Sequence, residues 1–266
     1  MTELVLSHFS LAPRHPIGER VGLAALAGFD GIGLYVGHYA QLEREGVAPG
    51  ALREMLEEHG IRLREIEVIE GLGADGLGDA RAGEREAVAY RMADEFHCRS
   101  LQVIGPAGDD ARRAGDAFGA LCDRAGDHGL VVSLEFLPFT DIANVSDALR
   151  IVEDANRPNG GICVDVWHHQ RGARDLDAIA ALAGEVITGI QLNDGAQVPV
   201  DTDYFTDCLT NRVAPGDGEF DLVSFMAAVR ATGTEVPVSV EVCSTSGWAD
   251  PEQHVRRIAV GARRFT

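Results

Sequence analysis

"GGICVDVWHHQRG", residues 160–172, opens as an apolar strand and then places Asp165, His168, His169 and Arg171 within seven residues. A helical stretch follows near 174–183, and the same alternation runs along the whole chain. The strands read at 3–9, 30–36, 61–69, 100–105, 130–136, 160–166, 186–192 and 237–242. Helical periodicity falls near 17–28, 49–59, 82–97, 110–128, 144–155, 174–183, 221–232 and 250–263. Start signals such as Asn144-Val145-Ser146-Asp147 and Pro251-Glu252 open two of the helices, and Gly60, Gly129 and Gly233 follow three of them. Eight βα units in 266 residues are the count and size of a closed (β/α)8 TIM barrel, an α/β fold. A doubly wound open sheet would have fewer strands and a glycine-rich first turn, whereas "SHFSLAPRHP" (7–16) is not GxGxxG. No linker interrupts the pattern, so residues 1–266 form one domain.

Composition narrows the function classes. Lys and Arg number 23 against 42 Asp and Glu, a formal charge of −19. Affinity for duplex phosphates comes from clustered Lys and Arg, so no nucleic-acid partner is expected. The amino-terminal "MTELVLSHFSLAP" lacks the basic start of a signal peptide, and no apolar run approaches a bilayer span. Five cysteines, at 98, 122, 163, 208 and 243, form no CxxC or zinc-finger spacing and read as reduced thiols of a cytoplasmic protein with no membrane partner. A homo-oligomer is compatible with all of this.

The quoted strand has three counterparts. "SLEF" (133–136), "CVDV" (163–166), "GIQL" (189–192) and "SVEV" (239–242) each read small, aliphatic, oxygen-bearing, apolar. With a two-residue period, Ser133, Cys163, Gly189 and Ser239 share a face with Glu135, Asp165, Gln191 and Glu241, while Leu134, Val164, Ile190 and Val240 face the helices. The fifth to eighth strands therefore point an oxygen into the barrel near their carboxyl ends, where the chemistry of this architecture sits. Three carboxylates converging in a low-dielectric mouth repel one another unless positive charge lies among them. A strand-end carboxylate by itself is often a partner for an arginine or a loop cap; four oxygens in register on adjacent strands point to one divalent cation. Oxygen donors without thiolate favour Mg2+ or Mn2+, with Co2+ or Zn2+ as further options.

At these residues the chain resembles the xylose isomerase-like TIM-barrel superfamily, which includes sugar phosphate isomerases and epimerases, inosose dehydratases, 3-dehydroshikimate dehydratases and endonuclease IV. The likeness covers essentially the full length. It is most specific in "LEFLPF" (134–139), "VDVWHHQRG" (164–172), "IQLND" (190–194), "RVAPGDGEFDL" (212–222) and "VEV" (240–242). It implies a single metal held by Glu135, Asp165, Gln191 and Glu241, with His168 and Arg212 lining the substrate pocket. In the epimerase-type members the third ligand is usually a histidine. Gln191 looks more like the dehydroshikimate dehydratase branch. The nine histidines do not reproduce the three-zinc set of the endonuclease members.

Such a cation acts as a Lewis acid on a carbonyl and an adjacent hydroxyl, stabilising the enediolate left when a proton departs from the carbon beside the carbonyl. The same intermediate leads to isomerisation, epimerisation or dehydration. The expected protein is a sugar (phosphate) isomerase/epimerase-like enzyme acting on a small polyhydroxylated carbonyl substrate. The alternative is a metal-dependent lyase of the 3-dehydroshikimate or inosose type; a nuclease or a catalytically silent sugar-binding barrel stands further off. Either Glu135 or Glu241 could accept the proton, and His168, three residues past Asp165, should sit above the metal as acid, base or hydroxyl ligand. The alternative for His168 is a solvent-facing loop. His169 points elsewhere, and Trp167 packs at the rim.

The stretch 193–222 is too long for an ordinary βα connection and should cover the mouth. Arg212 on it could pin a carboxylate, phosphate or substrate oxygen, or bond an acidic residue of the same loop. "PGDGEFDL" (215–222) reads as a turn and helix start rather than a phosphate cradle. Glu67 on the third strand and His38 after the second are further substrate-binding candidates, the alternative for Glu67 being a buried pair with Arg64 or a neighbour. Gln102, early on the fourth strand, is one more candidate to reach the pocket.

Overall fold

In a computed structural model that describes residues 2–72, 82–105 and 111–266, eight parallel strands follow one another in sequence order around a closed barrel. They are β1 (Leu4–Leu6), β2 (Gly31–Tyr35), β3 (Arg62–Glu70), β4 (Ser100–Ile104), β5 (Val131–Glu135), β6 (Gly160–Asp165), β7 (Ile187–Leu192) and β8 (Val238–Val240). The helices are α1 (Ile17–Ala27), α2 (Val36–Arg44), α3 (Pro49–Glu58), α4 (Ala82–Phe96), α5 (Ala111–Gly126), α6 (Val145–Ala155), α7 (Val166–Arg171), α8 (Leu176–Ala180), α9 (Tyr204–Thr210), α10 (Leu222–Ala231) and α11 (Pro251–Ala262). Position 110, where periodicity starts the fourth helical stretch, lies outside the described residues.

Local chemistry explains most boundaries. Asn144 caps α6 by accepting from the N–H groups of Ser146 and Asp147, and Asp250 caps α11 ahead of Pro251. Gly129 and Gly233 turn with φ of 69° and 77°, a left-handed conformation that a Cβ disfavours. Three helices escaped the periodicity reading: α2, α7 and α9. The first two begin on Val36 and Val166, which look like strand continuations, yet both are buried where the chain turns out of the barrel.

The two-residue alternation holds. Leu134, Val164, Ile190 and Val240 are buried against the helical layer, while Asp165 pairs with Gln191 across β6 and β7. Glu135 pairs with Cys163, one side-chain step before Asp165, and Ser239 pairs with Gln191, one step before Glu241. This stagger is what tilted barrel strands require, and it delivers the four oxygens to one end. Below them space is tight: a Cβ on Gly189 would meet Cys163 Sγ at 3.1 Å.

Candidate metal and active site

Asp165 ends β6 and also caps α7. Its Oδ1 accepts from Trp167 N (2.5 Å) and Asn193 Nδ2 (3.0 Å), which leaves Oδ2 facing Arg212 Nη1 at 3.0 Å and His168 Nε2 at 3.8 Å. Glu135 ends β5; its Oε2 accepts from Gln102 Nε2 (2.7 Å), and its Oε1 lies 3.1 Å from His168 Nε2. Glu241 follows β8 directly, its Oε2 accepting from Arg212 Nη1 (2.7 Å) and its Oε1 from Ser7 Oγ (3.3 Å). Glu135, Asp165 and His168 can each offer one ligand atom within 4.8 Å of the others.

Gln191 provides the test of a metal. One end of its amide stands 2.9 Å from Glu135 Oε1 and 3.0 Å from Asp165 Oδ2, and the other end 2.8 Å from Gln102 Nε2. With the NH2 group toward the carboxylates, the hydrogen bonds close without an ion. With the carbonyl oxygen there, three oxygens from three strands converge, an arrangement that needs a cation between them. Charge is what favours an ion. Three buried carboxylates against one buried guanidinium leave −3 + 1 = −2 when all are ionised, a deficit that one divalent cation cancels. Glu241, the fourth expected ligand, is not among the atoms that lie within 4.8 Å of one another; it is engaged by Arg212, and His168 takes its place beside Glu135 and Asp165.

Arg212 is built into this cluster rather than paired with its own loop. Its Nε donates to Cys208 O (3.0 Å), Nη1 to Asp165 and Glu241, and Nη2 to Cys208 Sγ (3.0 Å). Burial opposes its charge, but Cys208, Asp165 and Glu241 outweigh that and hold it well above its ordinary value. Burial pushes Glu241 up to about 7, with Arg212 opposing and Glu135 and Asp165 reinforcing.

Glu135, His168, Arg212 and Glu241 floor a cavity of about 240 Å³ whose walls include Phe9, Leu137, Phe139, Phe205 and Leu209. A larger groove, about 720 Å³, runs along α11 on the outer face and contains none of them. The segment between β7 and α10 crosses the mouth and is held by two acids the sequence did not single out. Asp194 takes the N–H groups of Gly195, Gly216, Gly218 and Phe220, so "PGDGEFDL" wraps an internal carboxylate instead of a phosphate. Asp207 accepts from Val200 N, Asp201 N and Arg171. Arg171 also lies 4.4 Å from the Trp167 ring centroid. Of the polar cluster in residues 160–172, then, His168 lines the cavity, and Asp165 is fully buried facing His168 and Arg212. Arg171 clamps the crossing segment, and His169 is buried against Phe225, its pKa lowered to about 4 by burial.

Two candidates sit elsewhere. Glu67 is fully buried and accepts from His8 N and Ser7 Oγ, both at 2.9 Å. Arg64 pairs with Glu3, not with Glu67. His38 is half-buried, its ring 5.2 Å from that of His8. Neither lines the 240 Å³ cavity, because the chain turns into α2 before His38 and Ser7 closes over Glu67. Gln102 does line it, as do Phe9 and Cys208, which carried no sequence signal. No helix among the described residues is long and apolar enough to cross a membrane, and all five cysteines are buried free thiols.

Comparison with known proteins agrees with the barrel fold. Residues 21–260 match the family described as xylose isomerase-like TIM barrel. Over 241 residues the chain is 28% identical to the 3-dehydroshikimate dehydratase of Pseudomonas aeruginosa, covering 88% of this chain but 37% of that enzyme. It is 29% identical over 129 residues to the inosose isomerase of Bacillus subtilis, 48% of this chain and 45% of that one. The chain thus spans about a third of the length of the dehydratases it matches. Among solved structures, the IOLI protein with a bound zinc atom superposes with a TM-score of 0.86 at 18% identity, covering 100% of this chain and 98% of that one.

Proposed function

The chain belongs to the xylose isomerase-like TIM barrel family, and from that premise we propose that it is a divalent-metal-dependent lyase removing water from a small cyclic polyhydroxylated ketone of the 3-dehydroshikimate type. One observation carries this reading: the two carboxylates able to handle a proton have unlike partners. Glu135 faces the titratable imidazole of His168 at 3.1 Å, whereas Glu241 is clamped by the guanidinium of Arg212 at 2.7 Å. Elimination of water needs one group to take a proton from carbon and one to protonate the departing hydroxyl, and the Glu135–His168 pair is such a couple. Gln191 in the oxygen set and the similarity to dehydratases across 88% of the chain support the same reading.

A cation held by Glu135, Asp165, Gln191 and Glu241 would supply a Lewis acid to the carbonyl oxygen and its neighbouring hydroxyl. Glu135 takes the proton from the carbon beside the carbonyl, while His168 gives up the proton of its own Nε2–H and is then restored by the one Glu135 has taken. The Nε2–H proton goes to the hydroxyl leaving the next carbon, so one C–H and one C–O bond break, a C=C bond forms and water departs. Arg212 holds the side chains of Asp165 and Glu241 in place, and the apolar walls limit water at the reacting carbons.

A second reading, isomerase or epimerase, has one specific support. Glu241 lines the same cavity as Glu135 but comes from the end of β8, a second carboxylate that could exchange a proton with the substrate. Incubation with Mg2+ or Mn2+ and 3-dehydroshikimate, followed by ultraviolet absorbance, tests the proposal. A conjugated, absorbing product supports the lyase. An altered sugar or inosose seen by chromatography without an absorbance change selects the isomerase, and loss of neither substrate class overturns both.

A further inference from the structure

The imidazole of His168 is fixed at both ends. Its Nε2 faces Glu135 Oε1 at 3.1 Å and Asp165 Oδ2 at 3.8 Å, while its Nδ1 lies 2.8 Å from the hydroxyl of Tyr204. The two residues are 36 apart in sequence, and Tyr204 opens α9 on the segment that crosses the mouth. Resting on the assignment of His168 to proton transfer above, we propose that Tyr204 is a positioning residue whose hydroxyl donates to Nδ1 and locks His168 in the Nε2–H tautomer, its N–H presented to the cavity.

Ionised carboxylates only accept hydrogen bonds, so the nitrogen facing two of them bears the hydrogen. The other nitrogen of a neutral imidazole then has a lone pair and nothing to give; a hydroxyl able to donate is the complement it needs. His168 is 2% exposed, so water is poorly placed to take over, and removing the hydroxyl leaves a buried acceptor without a partner. Tyr204 is itself held. Its ring packs on Phe139 with centroids 5.1 Å apart, Asp203 caps α9 by accepting from Thr206 N, and Asp207 ties the same segment to Arg171. The orientation of the acid–base group therefore depends on the crossing segment and not only on the barrel beneath it.

The test uses the full chain loaded with Mg2+ and labelled with 15N-histidine. Long-range 1H–15N spectra report the tautomer of His168, identified by the cross-peak lost in His168→Gln. The wild type is expected as Nε2–H, and Tyr204→Phe as a tautomer mixture or the Nδ1–H form. On a turned-over substrate, Tyr204→Phe is expected to lower kcat by about tenfold or more with KM and Mn2+ affinity within about twofold, since Tyr204 touches no proposed ligand. A wild type in the Nδ1–H form overturns the proposal whether or not the variant folds. So does a Tyr204→Phe variant with an unchanged spectrum and rate. If none of the candidate substrates reacts, the lyase reading falls while the spectra still decide for or against Tyr204.

Discussion

Replacing Arg212 with methionine, in protein stripped by chelator, isolates the charge balance of the mouth. Arg212 is 2% exposed, 2.7 Å from Glu241 and 3.0 Å from Asp165, and methionine keeps much of its volume while deleting a guanidinium that touches both acids. Removing one partner of a buried ion pair costs about 3–5 kcal/mol. A chain of this size loses about 2 °C per kcal/mol, so the metal-free variant should melt about 6–10 °C below wild type. With manganese the comparison narrows. An ion at a hundred times its Kd contributes about 2.7 kcal/mol to either protein, and the variant, its buried charge now −3 instead of −2, should bind it more tightly and gain more. Calorimetric melts of both proteins in chelator and in excess Mn2+ measure all four values. A metal-free variant within a degree of wild type, or equal manganese gains for the two, would show that Arg212 is not the counter-charge and that the mouth is not poised for a cation.

Glu135→Gln preserves shape but removes the proposed base; kcat should fall by about 100-fold or more with the melting temperature little changed, and steady-state turnover near the wild-type rate would move the base elsewhere. Glu65 and Glu241 are both pushed up to about 7, chiefly by burial. In the metal-free protein the folded state keeps protons on them that the unfolded chain has released, so stability falls as pH rises from about 4.5 to about 7. Melts across that window in chelator check the sign, and a rise there would contradict it. Because bound metal requires Glu241 ionised, Mn2+ affinity should climb over the same interval, which calorimetric titration at several pH values reads directly. Asp194→Ala strands four N–H donors at about 1 kcal/mol each, roughly 4 kcal/mol in all, concentrated in the segment over the mouth. Hydrogen exchange within 194–220 should accelerate markedly while the strands stay protected; unchanged protection of that segment refutes the role given to Asp194.

The strand periodicity made the barrel legible, and with it the four oxygens, because both follow from rules spanning a few residues. Apolar side chains two apart mark a buried strand face, and the residue type at its carboxyl end reports what faces the mouth. Leu134, Val164, Ile190 and Val240 went to the helices for that reason, and Glu135, Asp165, Gln191 and Glu241 to the interior. The long connection 193–222 was recognisable as a cover from its length alone.

Closure of the barrel decided the rest. Arg212 meets Asp165 across 47 residues, Tyr204 meets His168 across 36, and Gln102 meets Glu135 across 33. None of these distances is a period of any helix or strand. Glu67 shows the converse: its strand position aims it at the active end, but Ser7, 60 residues earlier, caps it before it reaches the cavity. Local sequence sets which face a side chain takes, through backbone geometry that every residue shares. Which partner it finds on that face depends on how distant loops fold over the ring, and hydrogen-bond geometry settles that only once the chain has closed.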